Sequence, residues 1–169
     1  MKRAERQVLL FASEVEHASA AAASRTLRAA AREFLAALGL GGRELSVLLV
    51  SDRGMRKLNR EYRGKDQATD VLSFPQAEPK AAARARGPIG DVVISLQTAL
   101  RQAAEGGWSL KAELRRLLAH GLLHCLGHDH EEAADARRMA AAELLLLGRV
   151  GLVGASLAQP KPARTRRTA

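Results

Sequence analysis

The stretch His120-Gly121-Leu122-Leu123-His124-Cys125-Leu126-Gly127-His128-Asp129-His130 decides how this chain is read. It places imidazoles at spacings of four and six residues. A spacing of four puts His120 and His124 one turn apart on one helix face, where two ring nitrogens can converge on a single metal ion. On an unbroken helix the next six residues would rotate by about 240° and turn His130 away. Gly127 can take the left-handed conformation that ends a helix, so a chain reversal is expected there. Asp129 is then expected to cap a second helix, with Glu132 as its reciprocal partner and His130 in the first turn. The acids Glu131 and Glu132 also suit a helix N-terminus. Three protein ligands leave one coordination position for water, the feature that separates a catalytic zinc site from a structural one.

The chain has five histidines, and four of them, the three ligand candidates and His128, fall within these eleven residues around a helix-stopping glycine. Scattered solvated histidines do not make that pattern. His17 is remote in sequence and reads as a surface residue. His128 is a further imidazole able to exchange with His130 as third ligand. Cys125 projects about 100° away from its ligating neighbour and reads as a small buried residue rather than a fourth ligand. Leu110, Leu114, Leu117, Leu118, Gly121 and Cys125 form an apolar stripe at helical spacing, with His120 and His124 on its flanks. Glycine inside a helix costs about 1 kcal/mol relative to alanine, so Gly121 points to close packing against its backbone.

Outward from this helix, the pattern alternates. Residues 7–12 read as a strand, Ser19 to Leu38 as an Ala-, Leu- and Arg-rich helix, and Glu44 to Val50 as a buried strand. Ser51 or Asp52 can cap a short helix reaching Tyr62. Residues 63–68 form a polar loop, and Val71 to Phe74 a strand stopped by Pro75. Residues 78–88 read as a loop, Asp91 to Ser95 as a strand and Leu96 to Gly106 as a helix. Ser109 opens the ligand helix, which reaches about Leu126. A last helix spans His130 to Leu147, ended by Gly148. The predicted class is α+β: a small mixed, mostly parallel four-stranded sheet, about five or six helices, and a metal site on the C-terminal helices.

A chain of 169 residues with 47% hydrophobic content supports one domain. That domain is expected over residues 1–155, followed by a basic, disordered tail at 156–169 whose prolines and arginines lack acidic partners. No stretch approaches the apolar length needed to span a membrane, and the N-terminus has no secretory apolar core. One cysteine excludes an internal disulfide, so a reducing cytoplasm is expected. The net charge of +9 favours a polyanionic partner. One Trp, one Tyr and three Phe are too few for a base-stacking sheet, so RNA would be held through its phosphates.

The histidine run resembles the signature of the YbeY family, His-x-x-x-His-x-x-Gly-x-Asp-His. Two more segments are similar to that family: Leu58 to Asp66 continuing into Thr69-Asp70-Val71-Leu72-Ser73-Phe74-Pro75, and Ile89 to Ser95. The likeness runs from about residue 25 to 150. His128 departs from it, standing where the family carries an aromatic residue. The resemblance implies a single-domain zinc-dependent endoribonuclease of ribosomal RNA maturation, with one Zn2+ per chain on His120, His124 and His130. It also implies partners: single-stranded ribosomal RNA, the small ribosomal subunit, a ribosomal protein and an assembly GTPase.

The metal site by itself suggests hydrolysis, since zinc can bring bound water to a pKa near 7 and polarise a phosphoryl oxygen. Three imidazoles also suit nickel, iron or copper. A metalloprotease is the competing hydrolase, but its His-Glu-x-x-His motif has a base where this chain has Gly121. Arg63 is the second catalytic candidate beside His120. It sits in a polar loop with Lys65, just after Arg60, and its fork can hold two phosphate oxygens; the resemblance implies the same role. Lys65 and Arg60 are substrate-binding candidates. Asp70 and Asp91 are candidates to accept from the ligating imidazoles. Cleavage at the 16S 3′ end and ribosome quality control are the expected tasks. The alternative is a non-catalytic assembly factor with a structural metal.

Overall fold

A computed structural model of the protein describes residues 9–82, 84–129 and 131–149. The expected tail at 156–169 lies outside them, as does His130. The elements run β1 (Leu9–Ser13), α1 (Ala20–Ala37), β2 (Leu45–Val50), α2 (Asp52–Arg63), β3 (Val71–Pro75), β4 (Gly90–Ser95), α3 (Leu96–Gly106), α4 (Leu110–Cys125) and α5 (Ala133–Arg149). The sheet has the order β1-β2-β4-β3. β1 with β2 and β2 with β4 are parallel, and β3 returns antiparallel to β4. The class is α+β with a mixed sheet.

Alternation along the strands assigns the two faces of the sheet. Leu45, Val47 and Leu49 of β2 and Val92 and Ile94 of β4 enter the main core with Leu27, Phe34, Leu114, Leu118 and Leu122 from α1 and α4. Val50 and Val93 point the other way, onto Met55 of α2 and Leu72 of β3. Each such large apolar side chain contributes about 1.5–3 kcal/mol on burial. Serine caps start three helices: the hydroxyls of Ser51, Ser95 and Ser109 accept from the amides of Gly54, Thr98 and Ala112.

α4 lies on the core side of the sheet, and its stripe is as the spacing predicts. Leu114, Leu117, Leu118, Gly121 and Cys125 are buried, and Leu110 is partly so. Gly121 is the point of closest approach. A Cβ there would stand 2.7 Å from Val92 Cγ1 and 3.2 Å from both Val71 Cγ2 and Ser73 Oγ. The missing side chain lets the helix settle onto β3 and β4.

Two expected boundaries move. α5 starts at Ala133 rather than at 130, and Asp129 does not cap it. The Asp129 carboxylate instead accepts from the Glu131 amide at 3.3 Å, closing a side-chain turn two residues long. The Glu132 carbonyl then accepts from Ala136 at 2.8 Å and opens the helix. Gly148 does not end α5, which continues to Arg149.

Candidate functional site

The C-terminus of α4 is closed by a double backbone bond. The Gly127 amide donates to His124 O at 3.0 Å and the His128 amide to Leu123 O at 3.0 Å, the pair that defines a Schellman ending. Gly127 makes the turn at φ 95°, where side chains are strained, and a Cβ on it would meet Pro79 O at 2.3 Å. The expected reversal after His124 is therefore present, and the segment that includes Pro79 packs against it.

His120 and His124 do converge. Their Nε2 atoms lie 3.2 Å apart, and the rings cross at 78°. Tetrahedral zinc with nitrogens at about 2.0–2.1 Å spaces any two of them about 3.3–3.4 Å apart. The pair thus fits one edge of such an ion. Among the described residues, no group of three His, Cys, Asp or Glu side chains is arranged to hold a metal. The third ligand read from the sequence, His130, falls outside them. His128 is partly buried, with its amide in the helix ending.

The opposite edge of the His120 ring faces a residue the sequence reading missed. Nδ1 of His120 pairs with a carboxylate oxygen of Glu143 on α5. A signal was present: Glu143 lies four residues after Met139 and three before Leu146, both buried, so it is an acid on the apolar stripe of its helix. Glu113, about two turns further back on α4, is fully buried and accepts from Trp108 Nε1 at 2.7 Å and from both arms of Arg116. Burial works against the Arg116 charge, but Glu113, aided by the charges of Asp70 and Glu143, reverses this and holds its pKa above the usual value. Arg116 is thus paired with Glu113 and feels the charge of Glu143 on α5.

Asp70 accepts from the Val71 amide at 2.9 Å and from Gln102 Nε2 at 3.1 Å. The Asp91 carboxylate accepts from Gln76 Nε2 at 3.2 Å. A carboxylate partner of His120 is Glu143 on α5. Cys125 is buried, and burial first, with the Asp91 charge, pushes its thiol up to about 12. It packs against Gly90, as expected of a core residue. His17 is exposed and accepts from the Ser19 amide at 3.0 Å.

Arg63 ends α2 at the exposed edge of the sheet. Its Nη2 donates to Ser73 O on β3 at 2.9 Å, and its guanidinium lies 5.6 Å from the centre of the Phe74 ring. Tyr62 meets the same ring edge-on at 5.2 Å. Lys65 is exposed in the loop beyond. Arg60 is 3.6 Å from Asp66, which also takes both arms of Arg56 at 2.9 and 2.8 Å. The basic run before Arg63 is thus partly neutralised. Asp66 is held below the usual carboxylate range, chiefly by the hydrogen bonds from Arg56.

A sequence profile described as endoribonuclease YbeY matches residues 11–151. The chain belongs to the endoribonuclease YbeY family. It is 56% identical to an endoribonuclease YbeY of Anaeromyxobacter sp. (strain Fw109-5), covering 90% of this chain and 78% of that one. To the YbeY of Anaeromyxobacter dehalogenans (strain 2CP-C) it is 59% identical over 84% of this chain and 72% of the relative. The YbeY of Myxococcus xanthus (strain DK1622) is 53% identical over 92% of this chain, which spans 53% of that longer relative. A solution structure of a Thermotoga maritima protein, 22% identical, superposes with a TM-score of 0.55 over 92% of this chain and 99% of its own, and shares the fold. Of the described helices, none is long and apolar enough to cross a membrane.

Proposed function

We propose that this YbeY-family chain is a zinc-dependent endoribonuclease that cuts single-stranded ribosomal RNA, acting at the 16S 3′ end and in ribosome quality control. The observation that carries the reading is the 3.2 Å approach of two imidazole Nε2 atoms on α4, with the far side of one ring held by a carboxylate. His120, His124 and His130 would hold the ion, one per chain. The chemistry such an ion supplies is Lewis acidity toward a phosphoryl oxygen.

The chain's own groups do the rest. Arg63 has five N–H donors and uses one on Ser73 O, so its fork is available to grip the scissile phosphate and offset charge in the transition state. Lys65 adds a second cation beside it. With a net charge of +9 and few aromatics, affinity comes from phosphates rather than base stacking. Peptide hydrolysis is disfavoured because Gly121 occupies the position of the protease base and has no room for a side chain. The proposed setting is the cytoplasm, with the small ribosomal subunit, a ribosomal protein and an assembly GTPase as partners.

The test is cleavage of 3′-extended small-subunit RNA by the purified chain and by His120→Ala and Arg63→Ala variants. Loss in both variants is expected. Equal residual cleavage by all three would mark a contaminant and overturn the assignment. A zinc-loaded chain that binds the RNA and never cuts it would instead establish an assembly factor with a structural metal.

A further inference from the structure

We propose that Glu143 is the positioning residue of the metal centre: its carboxylate accepts from Nδ1 of His120 and so holds the ring with Nε2 turned toward the ion and toward His124. The inference rests on the metal reading above and adds a residue from a different helix to it.

Two observations converge on it. Glu143 pairs with Nδ1, the nitrogen on the ring edge away from the 3.2 Å approach to His124. A proton on Nδ1 leaves Nε2 with the lone pair a metal requires. Both side chains are largely withdrawn from solvent, at 26% exposure for His120 and 20% for Glu143. A carboxylate on the stripe between Met139 and Leu146 is costly to keep there without a partner. An isoleucine or leucine would fill that position at lower cost if packing were all that was needed.

The rotamer of His120 is therefore set by α5, while the position of its backbone is set by α4. Without the acid the ring would lose its anchor on Nδ1, and the convergence with His124 would be held less firmly when an ion binds.

The experiment is a competition titration of the full chain against a chromogenic zinc chelator, comparing wild type, Glu143→Gln, Glu143→Ala and His124→Ala. Glu143→Ala is expected to weaken zinc binding by about 10- to 100-fold. Glu143→Gln, which keeps an acceptor but loses the charge, is expected to fall between. His124→Ala sets the level for a lost ligand. Melting of the metal-free proteins checks that each variant folds; if the alanine variant does not, the isosteric glutamine variant decides. Zinc affinity equal to wild type in the folded Glu143 variants overturns the assignment and leaves the metal centre intact. A wild-type chain that takes up no zinc overturns the metal centre itself, so the two failures are read apart.

Discussion

Arg63 and Gly121 meet across a single residue of the edge strand. Nη2 of Arg63 donates to the backbone oxygen of Ser73 at 2.9 Å, and Ser73 Oγ lies 3.2 Å from where a Cβ on Gly121 would stand. Gly121 adjoins His120. The arginine on α2 and the histidine on α4 are thus referenced to the same short strand, although they approach it from different elements.

Replacing Arg63 with lysine keeps the charge and removes the fork. An ammonium cannot hold Ser73 O and two phosphate oxygens in one plane. Arg63→Lys is expected to lower kcat/KM for RNA cleavage by about 100-fold or more. Urea unfolding should change by no more than about 1 kcal/mol, since the side chain is exposed. Cleavage at the wild-type rate would remove Arg63 from the mechanism.

Gly121→Ala tests the seating of α4. Helix propensity alone predicts a gain of about 1 kcal/mol. The new methyl would lie 2.7 Å from Val92 Cγ1, so overpacking is expected to win by about 1–3 kcal/mol net destabilisation. Denaturant midpoints measure the sign directly; a more stable variant would show that the helix can shift freely off the sheet.

Gly127→Ala should be worse. A left-handed alanine costs about 1–2 kcal/mol, and its Cβ would press on Pro79 O at 2.3 Å, a backbone atom. A loss of about 2–4 kcal/mol is expected in the same measurement, together with weaker zinc uptake.

Asp52 predicts an acid limb. Burial raises its pKa, but hydrogen bonds from Arg101, Ser95 and Thr98, with the charge of Arg101, outweigh that and hold it below the ordinary 3.8. The donor atoms lie at 2.7, 2.6 and 2.6 Å. A pKa lowered by folding means that the unfolded chain binds the proton first. Its contribution is therefore complete above about pH 4 to 5 and is lost as pH falls through the folded value. Urea unfolding at pH 5 and pH 3 should show a smaller difference in Asp52→Asn than in wild type. An identical difference would mean that other carboxylates govern the acid limb.

Metal removal offers the broadest check. Dialysis against a strong chelator should abolish cleavage, and zinc should restore it. Product ends then identify the nucleophile: a 2′,3′-cyclic phosphate means attack by the neighbouring ribose hydroxyl, and a simple monoester end means water. Activity that survives complete stripping would end the metal-dependent reading.

Much of this was legible in one dimension because it depends on neighbours in the chain. The apolar stripe of α4, the four-residue spacing of His120 and His124, the cap at Ser109 and the reversal at Gly127 all follow from helical periodicity and local backbone chemistry. Where two local solutions competed, the sequence was ambiguous. Asp129 could cap a helix or close a turn on Glu131, and the structure takes the turn. Arg60 could face solvent alone or Asp66, and the intervening end of helix and loop bring it within 3.6 Å of Asp66.

By itself, then, the chain's order of residues determined where the imidazoles stand, which helix carries them and which family signature they spell, because those properties are written in spacings of three and four. Only the tertiary structure decided that Glu143 reaches His120 across 23 residues, that Gly121 is pressed against Val92, and that Arg63 is tied to Ser73. Each of those contacts joins separate elements, and their meeting depends on how whole helices pack on the sheet, which no local pattern encodes.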